Sequence, residues 1–429
     1  MLKFFKFSPL VRVSSLLRNS LYLIGTYGVD AVFGFFSWVI AARLYDSTQV
    51  GIASTVVSVI VYLAMLSTLG LEMSLVRFLP KAEHQEKWNK LNLAISLSIV
   101  ISLVSATVFI LGIPLWASYL NLIHNKAILY TSILLLTAAL ALITVLQGAY
   151  TGQRQNSFIF IQSIIYGAIK LIFLMFFALV LKESGILSAW GISYVIAALF
   201  SLLFLLPRLI GRPYFSITKS YQTIKGMLEY SLPNHVANLI WNVPIIALPL
   251  MIIQLLGPEQ NAYFYIPWTL SVLAASIPKA VAMSVTAEGA LDENLVNSYI
   301  RRGIKISLTI LIPIVLILLV VGKYILLIFG NEYSQYSSAV FRFLILASIP
   351  MIFTQHYIAV KWLEKKPLGI IVINTFITLA TVLFSYLIIK RFGIIGVAYS
   401  WVSAHTIGGL YAVFYLVRRM RLHQGTNKF

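Results

Sequence analysis

Twelve runs of mainly apolar residues, each about twenty long or more, follow one another along the chain, at roughly 19–42, 51–79, 91–115, 128–151, 158–181, 186–207, 226–256, 262–287, 303–329, 338–360, 367–389 and 394–417. About 20 such residues suffice to cross about 30 Å of hydrocarbon. Inside lipid every backbone N–H and C=O must be paired within the protein, and helices do this segment by segment whereas open strands do not. The pattern therefore predicts an all-α polytopic membrane protein with 12 transmembrane helices. Composition agrees: hydrophobic residues make up 60% of the chain, charged residues 10%, and the mean hydropathy is +0.90. A soluble domain is nearer half apolar and about a quarter charged.

The formal charge is +19, from 32 Lys and Arg against 13 Asp and Glu. The bases sit in short connections between apolar runs. If the N-terminus is cytoplasmic, 23 of the 32 fall in inside segments and 6 in outside turns, with Lys170, Lys279 and Arg342 within spans or at their edges. Cytoplasmic loops are enriched in Lys and Arg, so the asymmetry predicts both termini inside. No basic patch has a nucleic-acid-binding pattern, so the charge is read as membrane orientation and attraction to anionic headgroups. The chain has no cysteine, which excludes disulfides, thiolate metal sites and cysteine nucleophiles. The first apolar run is too long for a signal sequence and reads as a retained span behind a cytoplasmic head.

The longest hydrophilic connection divides the chain into two six-span halves. The organisation expected is a cytoplasmic segment at 1–18, a first six-helix lobe at 19–207, a connecting loop at 208–225, a second lobe at 226–417 and a basic cytoplasmic tail at 418–429. Weak internal similarity follows the same division. The turn at 44–51 matches 255–262 at an offset of 211, and Gly185-Ile186-Leu187 matches Gly393-Ile394-Ile395 at an offset of 208. Repeated six-span halves mark transporters that bind their substrate between the halves.

Charges inside spans are costly and mark candidate sites. Asp30, Lys170, Lys279 and His405 lie within spans, and Glu72 and Arg77 lie toward the inner end of the second span. Each also has a structural reading. Asp30 pairs with a neighbouring lysine, Lys170 faces a packed seam, Lys279 snorkels inward, His405 packs beneath Trp401, and Arg77 is an interface anchor. The seventh span carries Asn234, Asn238 and Asn242 at spacings of four, beside His235 and Trp241. Amides and an indole suit sugars, giving hydrogen bonds and a flat apolar face, and amides also join helices. At the repeat offset Asp30 falls opposite Trp241, so the first and seventh spans present polar groups at one depth. Pro233, Pro244, Pro249, Pro258, Pro267 and Pro278 concentrate in two adjacent spans. Interior prolines kink helices, which makes all but the turn residue Pro258 candidate gating positions.

No P-loop, no HExxH, no GxSxG and no paired carboxylates on one helix face occur in the sequence, and outside turns are short. An enzyme is not expected, nor any cofactor or metal, and energy for transport has to come from ion or substrate gradients.

At the first turn the residues become distinctive. Asn19-Ser20-Leu21-Tyr22, then Ala42-Arg43-Leu44 and Gly51, resemble the opening of the polysaccharide transporter family, with Tyr45 where that family usually has glycine. Leu69-Gly70-Leu71-Glu72 with Leu75-Val76-Arg77-Phe78-Leu79-Pro80 resembles the family's second-helix ending, and Gly152-Gln153-Arg154 also fits. This family includes the O-antigen flippases and belongs to the multidrug/oligosaccharidyl-lipid/polysaccharide (MOP) exporter superfamily. The resemblance implies two six-helix lobes around a central cavity, as in multidrug exporters of that superfamily. It implies a flippase in the prokaryotic inner membrane moving a polyprenyl-pyrophosphate-linked oligosaccharide to the outer leaflet, alongside glycan polymerase and chain-length machinery.

The family cavity is typically basic, and Lys170 and Lys279 are the candidates for that property, facing one shared space with Asn234, Asn238, Trp241, Asn242 and His405. Asp30 and Glu72 are the candidates for H⁺ or Na⁺ coupling, and Arg43 is a turn residue. The rival readings are a multidrug cation exporter of the same fold and a membrane glycan polymerase. Lipid II flippase relatives carry additional spans.

Overall fold

A computed structural model describes residues 15–122, 126–181, 184–211, 221–292 and 295–426. The basic segment before residue 15, most of the connecting loop and the last three residues of the basic tail lie outside these. The described chain is helical: α1 (Ser15–Leu44), α2 (Ser47–Thr68), α3 (Leu71–Phe78), α4 (His84–Trp116), α5 (Lys126–Gly152), α6 (Asn156–Val180) and α7 (Gly185–Phe200), which passes through a π turn into α8 (Leu206–Ile210). The second half holds α9 (Tyr221–Leu256), α10 (Pro258–Leu291), α11 (Val296–Phe329), α12 (Asn331–Leu346), α13 (Ser348–Leu363) and α14 (Pro367–Thr426). Eleven stretches among the described residues are long and apolar enough to span a membrane. The last is two helical arms meeting at Gly393, whose φ of 58° and ψ of −147° are non-helical, and this restores the twelve spans expected.

The bundle is apolar on the outside. Leu115 and Leu179 are 83% and 82% exposed, and only 17% of the most apolar window, in α11, is buried. Such surface is stable only against lipid. α1 packs on α6, α6 on α7 and α5 on α4, while α10 packs on α11, α12 and α13, and α14 on α9 and α13. The halves meet where α2 touches α9 and α10, α3 touches α9, and α1 touches α11. We call the end carrying the basic connections the basic end.

Two expected spans are broken. The run at 51–79 divides because Leu69 and Gly70 both take left-handed φ, 51° and 72°. Glycine tolerates this at no steric cost, whereas leucine pays about 1 kcal/mol or more. The run at 338–360 begins earlier, at Asn331, and bends at Ala347 between α12 and α13.

The end opposite the basic end is sealed by a tight cross-half seam. A Cβ on Gly51 would lie 1.7 Å from the Pro258 carbonyl oxygen, so only glycine lets α2 and α10 approach this closely. There the fully buried Asn261 Nδ2 lies 2.9 Å from the Gly51 oxygen, 3.0 Å from Ser54 Oγ and 2.8 Å from Thr55 Oγ1. Arg43 donates from Nε to the Ile328 carbonyl at 2.7 Å and from Nη2 to that of Leu327 at 2.8 Å, bonding two carbonyls left open at the end of α11. Arg43 is thus a latch between halves and more than a turn residue.

At the basic end Glu364, just after α13, is tied to α14 and through it to α11. Its carboxylate accepts from Arg419 Nε at 3.0 Å, Tyr415 Oη at 2.8 Å and Lys361 Nζ at 3.3 Å, and Arg419 also donates to Asn297 on α11. Burial pushes this carboxyl up, but the hydrogen bonds from Tyr415, Arg419 and Lys361 outweigh it and hold the group below its usual range. A depressed folded value stabilises the protein above the unfolded value and is lost as pH falls through the folded one. Glu364→Ala is expected to destabilise by about 1–3 kcal/mol at neutral pH. Thermal unfolding in detergent should show the full gap from wild type at neutral pH, narrowing only as the pH falls below the ordinary glutamate value of about 4.3.

Candidate functional site

Among the described residues, two cavities carry charged side chains in their walls, and α1 contributes to each. Tyr27 lines one and Asp30, three residues on, lines the other.

The first, about 400 Å³, lies within the first half. Gly167 lets α6 close on α1, since a Cβ there would sit 2.3 Å from the Phe33 ring. One turn away on α1 Asp30 lines the cavity together with Ser163 of α6. Lys170, 3% exposed, donates from Nζ to Tyr166 Oη at 3.1 Å and lies 4.5 and 4.8 Å from the ring centroids of Tyr166 and Trp190. Tyr166 is itself stacked on Tyr194 at 4.3 Å. The ammonium is thus held by aromatic faces, which attract cations, within Coulombic reach of Asp30.

The second cavity, about 480 Å³, lies between the halves. α3 contributes Glu72 and Met73, α9 Asn234, His235 and Asn238, α10 Lys279 and Thr286, and α13 Gln355 and Trp362. Thr286 and Trp362 stand within about two turns of their helix ends, so the cavity lies toward the basic end. Lys279 is exposed and makes no ion pair among the described residues. The amide stripe of α9 faces it because Asn234 and Asn238 are one turn apart. Asn242, a turn further, donates to the Asn238 carbonyl at 2.8 Å and to its Oδ1 at 3.0 Å, orienting that amide. The α9 prolines lie inside an unbroken helix. Pro244 has no N–H for the Ile240 carbonyl one turn back, and Thr378 Oγ1 supplies the missing donor at 2.9 Å.

Several expectations are corrected. Lys170 and Lys279 do not face one space, because α6 turns Lys170 toward α1 and α7. Neither cavity is basic on balance: Asp30 accompanies Lys170 and Glu72 accompanies Lys279. His405, 1% exposed, is a packing residue with Nδ1 2.9 Å from the Trp401 carbonyl, and the partly buried Trp241 meets it edge-on at 5.9 Å. Both lie outside the two cavity linings. Arg77 stacks 4.3 Å over Tyr230, as an anchor residue can. The sequence reading missed Gln355, which interrupts an apolar run as Thr354-Gln355-His356 and was visible as such a break.

Membrane-length helices in two packed halves around a central cavity define a multi-pass membrane protein. The profile of the polysaccharide biosynthesis protein family matches residues 16–287, and the chain belongs to that family. No curated protein matches it in sequence. A MATE family multidrug resistance transporter of the MOP superfamily, in an inward-facing conformation, superposes with a TM-score of 0.76 at 16% identity, over 94% of this chain and 99% of that one. The lipid II flippase MurJ, in an inward closed conformation, gives 0.72 at 17% identity, over 92% of this chain and 87% of that one. A MOP superfamily transporter from Pyrococcus furiosus, described by the reverse polarity of its binding pocket, gives 0.63 at 16% identity over 95% of each chain. At these identities the likeness is one of fold.

Proposed function

We propose that this protein flips a polyprenyl-pyrophosphate-linked oligosaccharide from the cytoplasmic to the outer leaflet of a prokaryotic inner membrane by alternating access. The observation that carries this reading is Lys279 beside the Asn234, Asn238 and Gln355 amides in a cavity between the halves. A pyrophosphate carries at least two negative charges, which lipid excludes. An ammonium is a point charge suited to phosphate, and amides exchange hydrogen bonds with sugar hydroxyls. The prenyl tail needs no cavity and stays in the bilayer. The basic end then faces the cytoplasm, where the bias in Lys and Arg puts it, and the substrate enters from that side while the opposite seam is shut. Asp30, beside Lys170 in the other cavity, is the position for H⁺ or Na⁺ coupling. Family membership supports a glycan-lipid substrate, and a lysine in each cavity disfavours export of organic cations.

Proteoliposomes given a fluorescent polyprenyl-pyrophosphate oligosaccharide test this. The expected result is protein-dependent leaflet transfer of the lipid with no uptake of ethidium. Asp30→Asn is expected to remove the dependence of transfer on an imposed H⁺ or Na⁺ gradient. Ethidium transport without lipid transfer contradicts the substrate, and full ion dependence in Asp30→Asn contradicts the coupling position.

A further inference from the structure

A carboxylate in a cavity meant for an anion needs an explanation. Glu72 stands on α3, in the first half, and Lys279 on α10, in the second, and both line the central cavity. Glu72 Oε2 is buried with no hydrogen-bond partner. Burying such an oxygen unpaired costs about 1–3 kcal/mol, more if it is charged. Lys279 makes no ion pair among the described residues. A carboxyl and an ammonium therefore line one space from the two halves that must move. The chain also accepts two successive left-handed residues, Leu69 and Gly70, at the break that sets α3 in the cavity wall. Without that break α2 would run straight on past this position. Strain held at such a site points to a role for the segment it orients.

We propose that Glu72 is the internal competitor of the substrate's pyrophosphate: as the basic end closes, its carboxylate takes Lys279 from the phosphate and releases the headgroup toward the other side. The proposal rests on the flippase reading and adds how the substrate leaves. While the cavity is open and loaded, Lys279 binds phosphate and Glu72 is kept away. When α3 and α10 converge, water leaves, and a lone ammonium becomes costly to enclose. The carboxylate answers that cost without leaving the protein, whereas the phosphate departs with its lipid. The empty protein then returns to its starting conformation with its cavity charges paired.

The chain has no cysteine, so a reporter pair can be introduced without removing native thiols. Met73 and Met283 line the same cavity and are 56% and 66% exposed, beside Glu72 and one turn after Lys279. Met73→Cys with Met283→Cys, joined by a short bismaleimide in proteoliposomes, reads closure of the basic end. Inorganic pyrophosphate is the ligand probe, followed by calorimetry.

Glu72→Gln, which keeps shape and removes charge, is expected to bind pyrophosphate about tenfold more tightly, to transfer glycan-lipid more slowly, and to cross-link less than wild type without ligand. A tighter site with slower turnover is not what a merely structural residue produces, and Glu72→Asp should restore cross-linking. Unchanged affinity or unchanged cross-linking in Glu72→Gln overturns the proposal. If Lys279→Ala binds pyrophosphate as wild type does, the substrate-site reading fails instead, and the ligand-free cross-linking comparison still decides whether Glu72 closes the cavity.

Discussion

Lys279→Ala is expected to slow glycan-lipid transfer by about 100-fold or more while leaving the protein folded. Hydrogen bonds to charged groups contribute about 1.5–3 kcal/mol each, and every 1.4 kcal/mol is about tenfold. An ammonium holding two phosphate oxygens reaches that size once water is displaced. Because Lys279 is exposed in the cavity and makes no ion pair among the described residues, its removal breaks no packing. Leaflet transfer in proteoliposomes measures the effect, with size-exclusion behaviour as the folding check. Lys390→Ala, exposed at the other end of the bundle, is the control expected to retain activity. Loss of less than about threefold in Lys279→Ala means that the headgroup's charge is met elsewhere.

Gly51→Ala is expected to be the most destabilising single methyl that the seam can receive. The added carbon would lie 1.7 Å from the Pro258 oxygen and 2.5 Å from its carbonyl carbon. Both are backbone atoms at the start of α10, so no side chain can swing aside and the helices must separate. Overpacking costs about 1–3 kcal/mol. Separation also stretches the Asn261 contacts to Gly51, Ser54 and Thr55, each worth about 1 kcal/mol when buried. The expected total is about 3–5 kcal/mol, seen as a lower unfolding temperature in detergent. It is accompanied by new water access at the end that the seam closes. Gly28→Ala is the comparison, since nothing lies within 4 Å of a Cβ there.

Much of the architecture was readable from apolar length alone, because a span is a run of side chains that lipid accepts. The broken second span was not. Leu69-Gly70 stood out as a motif, but φ at a leucine depends on what α9 offers around it: Ser231 Oγ donates to the Leu69 carbonyl at 2.9 Å. The repeated turns at 44–51 and 255–262 were legible as a match, and they turn out to begin the two helices that pack through Gly51 and Asn261.

The site was read less completely. Spacing of four put Asn234 and Asn238 on one face, and that face lines the central cavity. The same spacing sets Gln162, Tyr166 and Lys170 on one face of α6, and says nothing of which neighbour that face meets. The neighbours are α1 and α7, brought close by Gly167 and by the Tyr166–Tyr194 stack. Periodicity assigns a residue to a side of its helix, and only tertiary packing names the space beyond. That is also why Glu72 and Lys279, far apart in sequence, were not expected to line one cavity.

The account turns on whether the sugar-pyrophosphate head passes through the space between the halves. Benzoylphenylalanine placed at Asn238, in the cavity wall, and separately at Leu316, 58% exposed on the lipid side of α11, reports this directly. During transfer of a radiolabelled polyprenyl-pyrophosphate oligosaccharide, ultraviolet light should attach the glycan at position 238 and leave position 316 unlabelled. Labelling at 316 with none at 238 would place the head along the outside of the bundle and contradict the cavity route.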